Sequence, residues 1–136
     1  MILSIDLESK KSIFKQLQSQ IIKAIANGEL KHGDVLPSIR EMASDLGINM
    51  HTVNKAYSAL KVEGYVSISK KGVYVENRAN YEANKDYIEE LEEELELNVT
   101  KAISKGIKKE DIEKIVNKIY ESLKKEKSWW SDQYLF

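Results

Sequence analysis

A very short connection between two helical patterns constrains the fold of this chain more than any other feature. In the first pattern, Ser38 and Glu41 have the spacing of a capping box, and the pattern ends at Gly47. The second begins at Asn49, a residue type that favours helix N-termini. Only three residues separate the two helices, which predicts a helix-turn-helix.

A further helix and a hairpin flank this pair. Apolar residues recur with helical spacing from Ile13 to Ile25, before the pair. After it, residues 65–68 and 73–75 are rich in β-forming side chains and enclose a basic turn, which predicts a β-hairpin. The chain is therefore predicted to be mainly α-helical with a small β-wing, as a winged helix-turn-helix domain over residues 1–77.

Two segments of this N-terminal part have weaker patterns. Leu3, Ile5 and Leu7 alternate with polar residues, which predicts a short strand or an extended arm. Residues 29–35 show no such periodicity. We expect this segment to be a loop that leads into the helix-turn-helix.

Residues 78–136 contain two long helical patterns that meet at Gly106, and they predict an α-helical hairpin. A hairpin has no third element to bury its apolar face, so it must pack on the N-terminal domain or on a second copy of itself. Within one chain, the apolar stripe of the first helix can also meet that of the second. The residues predicted to form this dimerisation surface are Ile88, Leu91, Leu95, Val99, Ile112, Ile115, Ile119 and Leu123.

The chain ends in an aromatic tail. Trp129, Trp130, Tyr134 and Phe136 give four aromatic residues among the last nine. Exposed, such a cluster would favour aggregation. We expect the tail to dock on the dimer, with a flap over a ligand or a contact for another protein as the alternative.

The composition argues against several classes of protein. The 136 residues include no cysteine and only two histidines, so the sequence predicts neither a disulfide nor a metal site, and no cofactor. It also lacks a nucleophile–base constellation and a phosphate-binding loop, so we do not expect an enzyme. No apolar run approaches the ~20 residues of a membrane span. A cytoplasmic protein without a membrane partner is predicted.

The distribution of charge limits where a nucleic acid could bind. The net charge is −1, but residues 1–77 contain ten basic and eight acidic residues, whereas residues 78–136 contain eleven and fourteen. A uniformly basic surface is therefore absent. Any contact with nucleic acid is expected to be local to the N-terminal domain.

The second helix of a helix-turn-helix reads base edges with its N-terminal residues. Asparagine can pair with adenine there, threonine can bond a base or a phosphate, and lysine can contact phosphate or guanine. The arginine of the preceding helix can grip phosphate or reach a base edge. The lysines at the hairpin tip can reach backbone phosphate or the minor groove, with a glycine permitting close approach. The residues predicted to contact DNA are Ser38, Arg40, Asn49, His51, Thr52, Asn54, Lys55, Lys70, Lys71 and Gly72.

Several stretches resemble the GntR family of bacterial transcription regulators, and together they cover residues 12–76. They include Ser12-Ile13-Phe14-Lys15-Gln16-Leu17, Gly33-Asp34-Val35-Leu36-Pro37-Ser38-Ile39-Arg40-Glu41-Met42-Ala43, Thr52-Val53-Asn54-Lys55-Ala56-Tyr57 and Glu63-Gly64-Tyr65. The short two-helix region that follows resembles the YtrA-like subfamily. The resemblance implies a homodimeric repressor that binds double-stranded operator DNA.

The resemblance also implies roles for individual residues. By motif, it places Arg40, Asn49, His51, Thr52, Asn54 and Gly72 at positions where family members touch DNA. The chain departs from the family at Met50 and Asn54, where many members carry arginine. These departures predict a different operator.

Two other functions are compatible with the sequence. One is a winged-helix module that binds protein instead of DNA, which a weak salt dependence of DNA affinity would indicate. The other is a ligand-responsive repressor with a small effector near the C-terminal helices. The sequence identifies no effector.

Overall fold

The computed structural model describes residues 3–77, 80 and 82–134, with side chains as far as residue 123. The chain divides after Asn77 into two compact units. The first contains three helices and a small sheet, and the second is helical. The mainly α-helical fold with a β-wing is as predicted from the sequence.

The first unit is a winged helix-turn-helix. Its three strands form an antiparallel sheet in the order β1-β3-β2. The hairpin of β2 and β3 is the wing. Its elements are α1 (Ile13–Ala26), β1 (Val35–Leu36), α2 (Ile39–Leu46), α3 (Met50–Val62), β2 (Val66–Ser69) and β3 (Gly72–Val75).

The turn between α2 and α3 follows from local capping. The Ser38 hydroxyl accepts a hydrogen bond from the Glu41 N–H at 3.1 Å, which satisfies one unpaired donor at the start of α2. Gly47 ends α2 with a φ of 66°, a left-handed conformation that glycine adopts without a steric penalty. The Asn49 side-chain oxygen then accepts from the His51 N–H at 2.7 Å. The helices are thus bounded by residues of the turn itself.

The predicted loop over residues 29–35 is wrong at its C-terminal end. Val35 and Leu36 form a third strand, in which Val35 pairs with Tyr74 and Leu36 with Val73. Asp34 extends this pairing, because its carbonyl accepts from the Val75 N–H at 2.9 Å. A strand of two residues is too short to show alternation in the sequence, and it is defined only by its partner.

The core of the first unit lies between α1, α3 and the sheet. Leu17 and Ile21 of α1 meet the inward face of α3, and both are fully buried. Sheet residues close the other side. The buried core residues of α3 and the sheet are Val53, Ala56, Tyr57, Leu60, Leu36, Val66 and Val73.

Tyr57 is the largest fully buried residue of this core, and its hydroxyl is satisfied. The hydroxyl donates to the Pro37 carbonyl at 2.7 Å. Burial, with a smaller contribution from the charge of Glu41, raises the pKa of Tyr57 well above its ordinary value. This hydrogen bond ties the residue before the α2 cap to the middle of α3.

The N-terminal arm is extended, as one of the two predicted alternatives, but it is not a strand. Two glutamines of α1 pair with its backbone. Gln16 accepts from the Asp6 N–H and donates to the Asp6 carbonyl, both at 2.9 Å, and Gln20 makes the same two bonds with Ser4. Leu3 and Ile5 pack against the core. The side-chain amides therefore hydrogen-bond the backbone of this arm, as a neighbouring strand would in a sheet.

The second unit contains two long helices, α4 (Lys85–Ser104) and α5 (Lys109–Tyr134), after a short 3-10 turn at Glu82–Asn84. The possible contact between their apolar stripes within one chain is at most sparse over the described parts of α4 and α5. Leu95 is 50% exposed and Ile119 is 55% exposed. Of the eight residues predicted to form the dimerisation surface, four are half-buried and four remain exposed in the single chain.

The remaining predictions for this unit have different outcomes. Within the described ranges, no helix is long and apolar enough to cross a bilayer. The backbone of α5 is helical as far as Tyr134, so most of the predicted tail belongs to a helix. The side chains of Trp129, Trp130 and Tyr134, and the whole of Phe136, lie outside the described residues. The docking of the tail therefore stays a prediction.

Candidate nucleic-acid interface

The N-terminal end of α3 presents its side chains to solvent. The helix is anchored by a buried face that includes Val53 and Tyr57, so residues on its other faces point away from the core. His51 and Asn54 are exposed, and Thr52 is half-buried. Met50, the first residue of the helix, is 47% exposed. These are the residues that a helix-turn-helix would place in a major groove.

Two polar side chains near the starts of α2 and α3 have no hydrogen-bond partner among the described residues. Neither the Arg40 guanidinium nor the Asn54 amide makes a hydrogen bond or ion pair with any described residue, and both residues are exposed. Arg40 lies in the first turn of α2, close in sequence to Glu41 and Asp45, yet it pairs with neither. Both side chains therefore retain their full capacity to bond phosphate or a base edge.

Two capping residues have part of that capacity in use. The Ser38 hydroxyl and the Asn49 side-chain oxygen each accept a backbone N–H. The Asn49 amide nitrogen remains a donor, so this residue suits a phosphate contact better than a bidentate contact with adenine. The helix starts that these caps hold are themselves favourable for anions.

Lys55 has an intramolecular partner. Its ammonium nitrogen lies 4.0 Å from the centroid of the Phe14 ring, which is a cation–π geometry between α3 and α1. A lysine held over a ring keeps its positive charge but has less freedom than a solvated one. The sequence could not indicate this pairing, because the two residues are 41 positions apart and belong to different helices.

The tip of the wing carries two exposed lysines. Lys70 and Lys71 connect Ser69 to Gly72, which face each other across the hairpin. The Lys71 N–H donates to the Ser69 hydroxyl at 3.2 Å. Gly72 has a φ of 134°, a backbone conformation that residues other than glycine rarely adopt. The tip is thus a tight, basic turn.

A hydrogen bond from the core orients this surface. The Tyr57 hydroxyl bonds the Pro37 carbonyl, so it fixes the residue before Ser38 against the middle of α3. Arg40 lies on α2, two residues after Ser38. The sequence does not indicate the Tyr57–Pro37 bond, because the partner carbonyl lies 20 positions away. The structure places it as a link between the two helices that carry the candidate contacts.

The comparison with protein families matches residues 14–75 to the bacterial regulatory proteins of the gntR family. The matched segment spans α1, the helix-turn-helix and the wing. A solved structure, YtrA from Sulfolobus acidocaldarius, described as a GntR-family transcription factor, is 41% identical. The similarity covers 88% of this chain and 97% of that one, with a TM-score of 0.59. The chain belongs to the GntR family.

Two further comparisons show how far along the chain the similarity to known proteins extends. The HTH-type transcriptional repressor YtrA of Bacillus subtilis is 36% identical over 78 residues, which cover 57% of this chain. The chain spans 60% of the length of that curated relative. The crystal structure of a transcriptional antiterminator from Listeria monocytogenes is 25% identical, with a TM-score of 0.79, and the similarity covers 90% of this chain and 92% of that one. The likeness therefore extends beyond the matched domain.

Proposed function

We propose that this GntR-family chain is a sequence-specific DNA-binding transcriptional regulator that acts as a homodimeric repressor in the cytoplasm, and that it is not an enzyme. The observation that carries the proposal is the start of α3. Exposed Asn54 and His51 lie there, and the exposed Arg40 of α2 makes no hydrogen bond or ion pair with a described residue. In a winged helix-turn-helix, polar side chains at this end that have no internal hydrogen-bond partner can bond base edges in the major groove of DNA.

The wing and the helix starts supply the contacts that do not depend on sequence. Lys70 and Lys71 are exposed at the wing tip and can reach the phosphate backbone. The N-termini of α2 and α3 present backbone N–H groups, which favour phosphate oxygens. We assign Ser38, Asn49 and Thr52 to this positioning role, and we assign Arg40, His51 and Asn54 to base contacts.

Uncovered apolar residues support the proposed homodimer. Leu95, Val99, Ile115 and Ile119 are 36–55% exposed in the single chain. Such residues gain about 25 cal/mol per Å² of apolar surface removed from water. A second copy carries the same stripes, so a two-fold arrangement can bury them on both chains. Two copies would also present two wings and two α3 helices to a palindromic operator.

Selection of bound duplexes from a random DNA pool tests the proposal. We expect a palindromic site with half-sites roughly 10 base pairs or a multiple apart. The affinity for that site should fall steeply with salt, because lysine and arginine contacts release counterions. A pool that yields no enriched sequence, or an affinity that is indifferent to salt, would contradict the proposal.

A ligand-responsive repressor is the second candidate. The C-terminal helices leave apolar surface exposed in the single chain, and a small apolar effector could occupy part of it. A thermal-shift screen of metabolites, with and without the selected operator, tests this possibility. An effector should raise the melting temperature of the free protein and lower its affinity for the operator.

A further inference from the structure

One apolar side chain lies among the polar residues at the start of α3. Met50 is the first residue of the helix and 47% exposed. Asn49 precedes it as the cap, His51 follows it, and Asn54 lies one turn further along the same face. A thioether has no N–H or O–H group, so Met50 cannot donate a hydrogen bond to a phosphate. It therefore needs a different kind of partner from its neighbours.

Met50 is not a member of the core. The side chains packed on the core from this region are those of Leu46 and Ile48, and Met50 is not among them. Its side chain is unbranched, with three rotatable bonds, and it can adapt its shape to a surface that approaches it. The structure thus leaves a flexible apolar group at the N-terminal end of α3, the end with which a recognition helix contacts base edges.

Thymine presents the matching chemistry. Its 5-methyl is the main apolar group that base edges offer in the major groove. We propose that Met50 contacts the methyl group of one thymine in each half-site and so selects an A·T pair at that position. This inference rests on the proposed DNA-binding function, and it identifies a specificity-determining residue of the same site.

The position of Asn54 limits where this thymine lies. Side chains one helical turn apart have Cβ atoms about 5–6 Å from each other. Successive bases on one strand are about 3.4 Å apart. The thymine read by Met50 therefore lies within about two base-pair steps of the base read by Asn54. Because the Asn54 amide is exposed and unpaired, it can bond adenine through both of its polar atoms.

The experiment combines changes in the DNA with changes in the protein. Each thymine of the selected operator is replaced in turn by deoxyuridine, which removes only the methyl group. The full-length chain is compared with Met50→Ala and with Met50→Leu, which keeps an apolar side chain. Val62→Ala is the matched control, because Val62 is 87% exposed at the other end of α3, about 18 Å away along the helix axis.

We expect one deoxyuridine position per half-site to weaken binding of the unmodified chain about fourfold, the effect of one buried methyl group. That loss should persist in Met50→Leu and Val62→Ala and disappear in Met50→Ala. Deoxyuridine that is neutral at every position, or that weakens Met50→Ala equally, would overturn the inference while leaving the DNA-binding function intact. A chain that binds no duplex would overturn both.

Discussion

At the scale of single residues, Tyr57 combines stability with the orientation of the candidate interface. Its ring is fully buried and its hydroxyl bonds the Pro37 carbonyl at 2.7 Å. Removal of the hydroxyl in Tyr57→Phe leaves that carbonyl without its partner. We expect the free energy of unfolding to fall by about 1–2 kcal/mol at pH 7, as measured by urea denaturation.

The raised pKa of Tyr57 also predicts how the stability of the fold depends on pH. Burial raises the pKa of Tyr57 above its ordinary value of about 10. Above pH 10 the unfolded chain loses this proton while the folded chain keeps it, so ionisation favours unfolding. The stabilisation is complete below pH 10 and declines above it. The advantage of the unmodified chain over Tyr57→Phe should therefore shrink between pH 10 and 11.5, and a constant difference would contradict this.

Arg40 and Lys71 are expected to contribute to DNA binding in different ways. Arg40→Ala should cost about 1–3 kcal/mol and relax the preference at one base position, because a guanidinium can bond a base edge in two places. Lys71→Ala should weaken binding to all sequences and lower the salt slope by ~1.

Binding titrations at several salt concentrations, on the operator and on single-base variants, distinguish these outcomes. Lys61→Ala is the control, because Lys61 is an exposed residue in the last turn of α3. Identical salt and sequence dependences for Arg40→Ala and Lys71→Ala would indicate that Arg40 contacts only phosphate.

At the scale of elements, the arm offers a matched pair of substitutions on α1. Gln16 is 8% exposed and bonds both Asp6 backbone groups and the Lys11 carbonyl. Gln18 makes one exposed bond of 3.4 Å to Glu63. We expect Gln16→Ala to lower the free energy of unfolding by about 2 kcal/mol and Gln18→Ala by less than 0.5 kcal/mol.

Hydrogen exchange provides a second measurement of the arm. The Asp6 amide should exchange faster in Gln16→Ala, because its acceptor is removed. Equal exchange rates in the two glutamine variants would show that packing of Leu3 and Ile5, and not the amide pairs, holds the arm in place.

The helix boundaries could be predicted because their determinants are local. Ser38, Gly47 and Asn49 act on neighbours no more than three or four residues away, and the structure places the ends of α2 and α3 beside them. By contrast, β1 exists only because Tyr74 and Val73 lie beside it. Such pairings join distant positions, so neither periodicity nor residue propensity in the sequence reports them.

The candidate site was predictable to a similar extent. Residue type and position on α3 identify Asn54 and His51 as exposed polar groups. The Lys55–Phe14 contact and the Tyr57–Pro37 bond depend on how the helices pack. They give Lys55 an aromatic partner and Tyr57 a hydrogen-bond acceptor, neither of which the sequence indicates. The exposure of Met50 likewise becomes apparent only once the core is defined.

At the scale of the whole molecule, the proposed dimer can be tested on α4 with two leucines. Leu95 is 50% exposed and Leu97 is 56% exposed, but they lie about 200° apart around the helix. Aspartate at either position costs little in a single chain. Only Leu95 belongs to the proposed dimerisation surface, where an unpaired charge would be buried between two copies.

Sedimentation at several protein concentrations measures the outcome. Leu95→Asp and Ile119→Asp should sediment as monomers where the unmodified chain is a dimer, and Leu97→Asp should remain a dimer. Stable dimers of the first two variants, or dissociation of Leu97→Asp alone, would place the dimer contact elsewhere.

The partly exposed stripes of α4 and α5 have a consequence for gene control. Because both helices keep exposed apolar residues in the single chain, the proposed repressor is completed only by an encounter between two chains. Below the dissociation constant of the dimer, the number of competent molecules rises with the square of the chain concentration. Doubling the cellular copy number would then increase the amount of repressor fourfold. The operator would switch over a narrow range of expression, as a threshold.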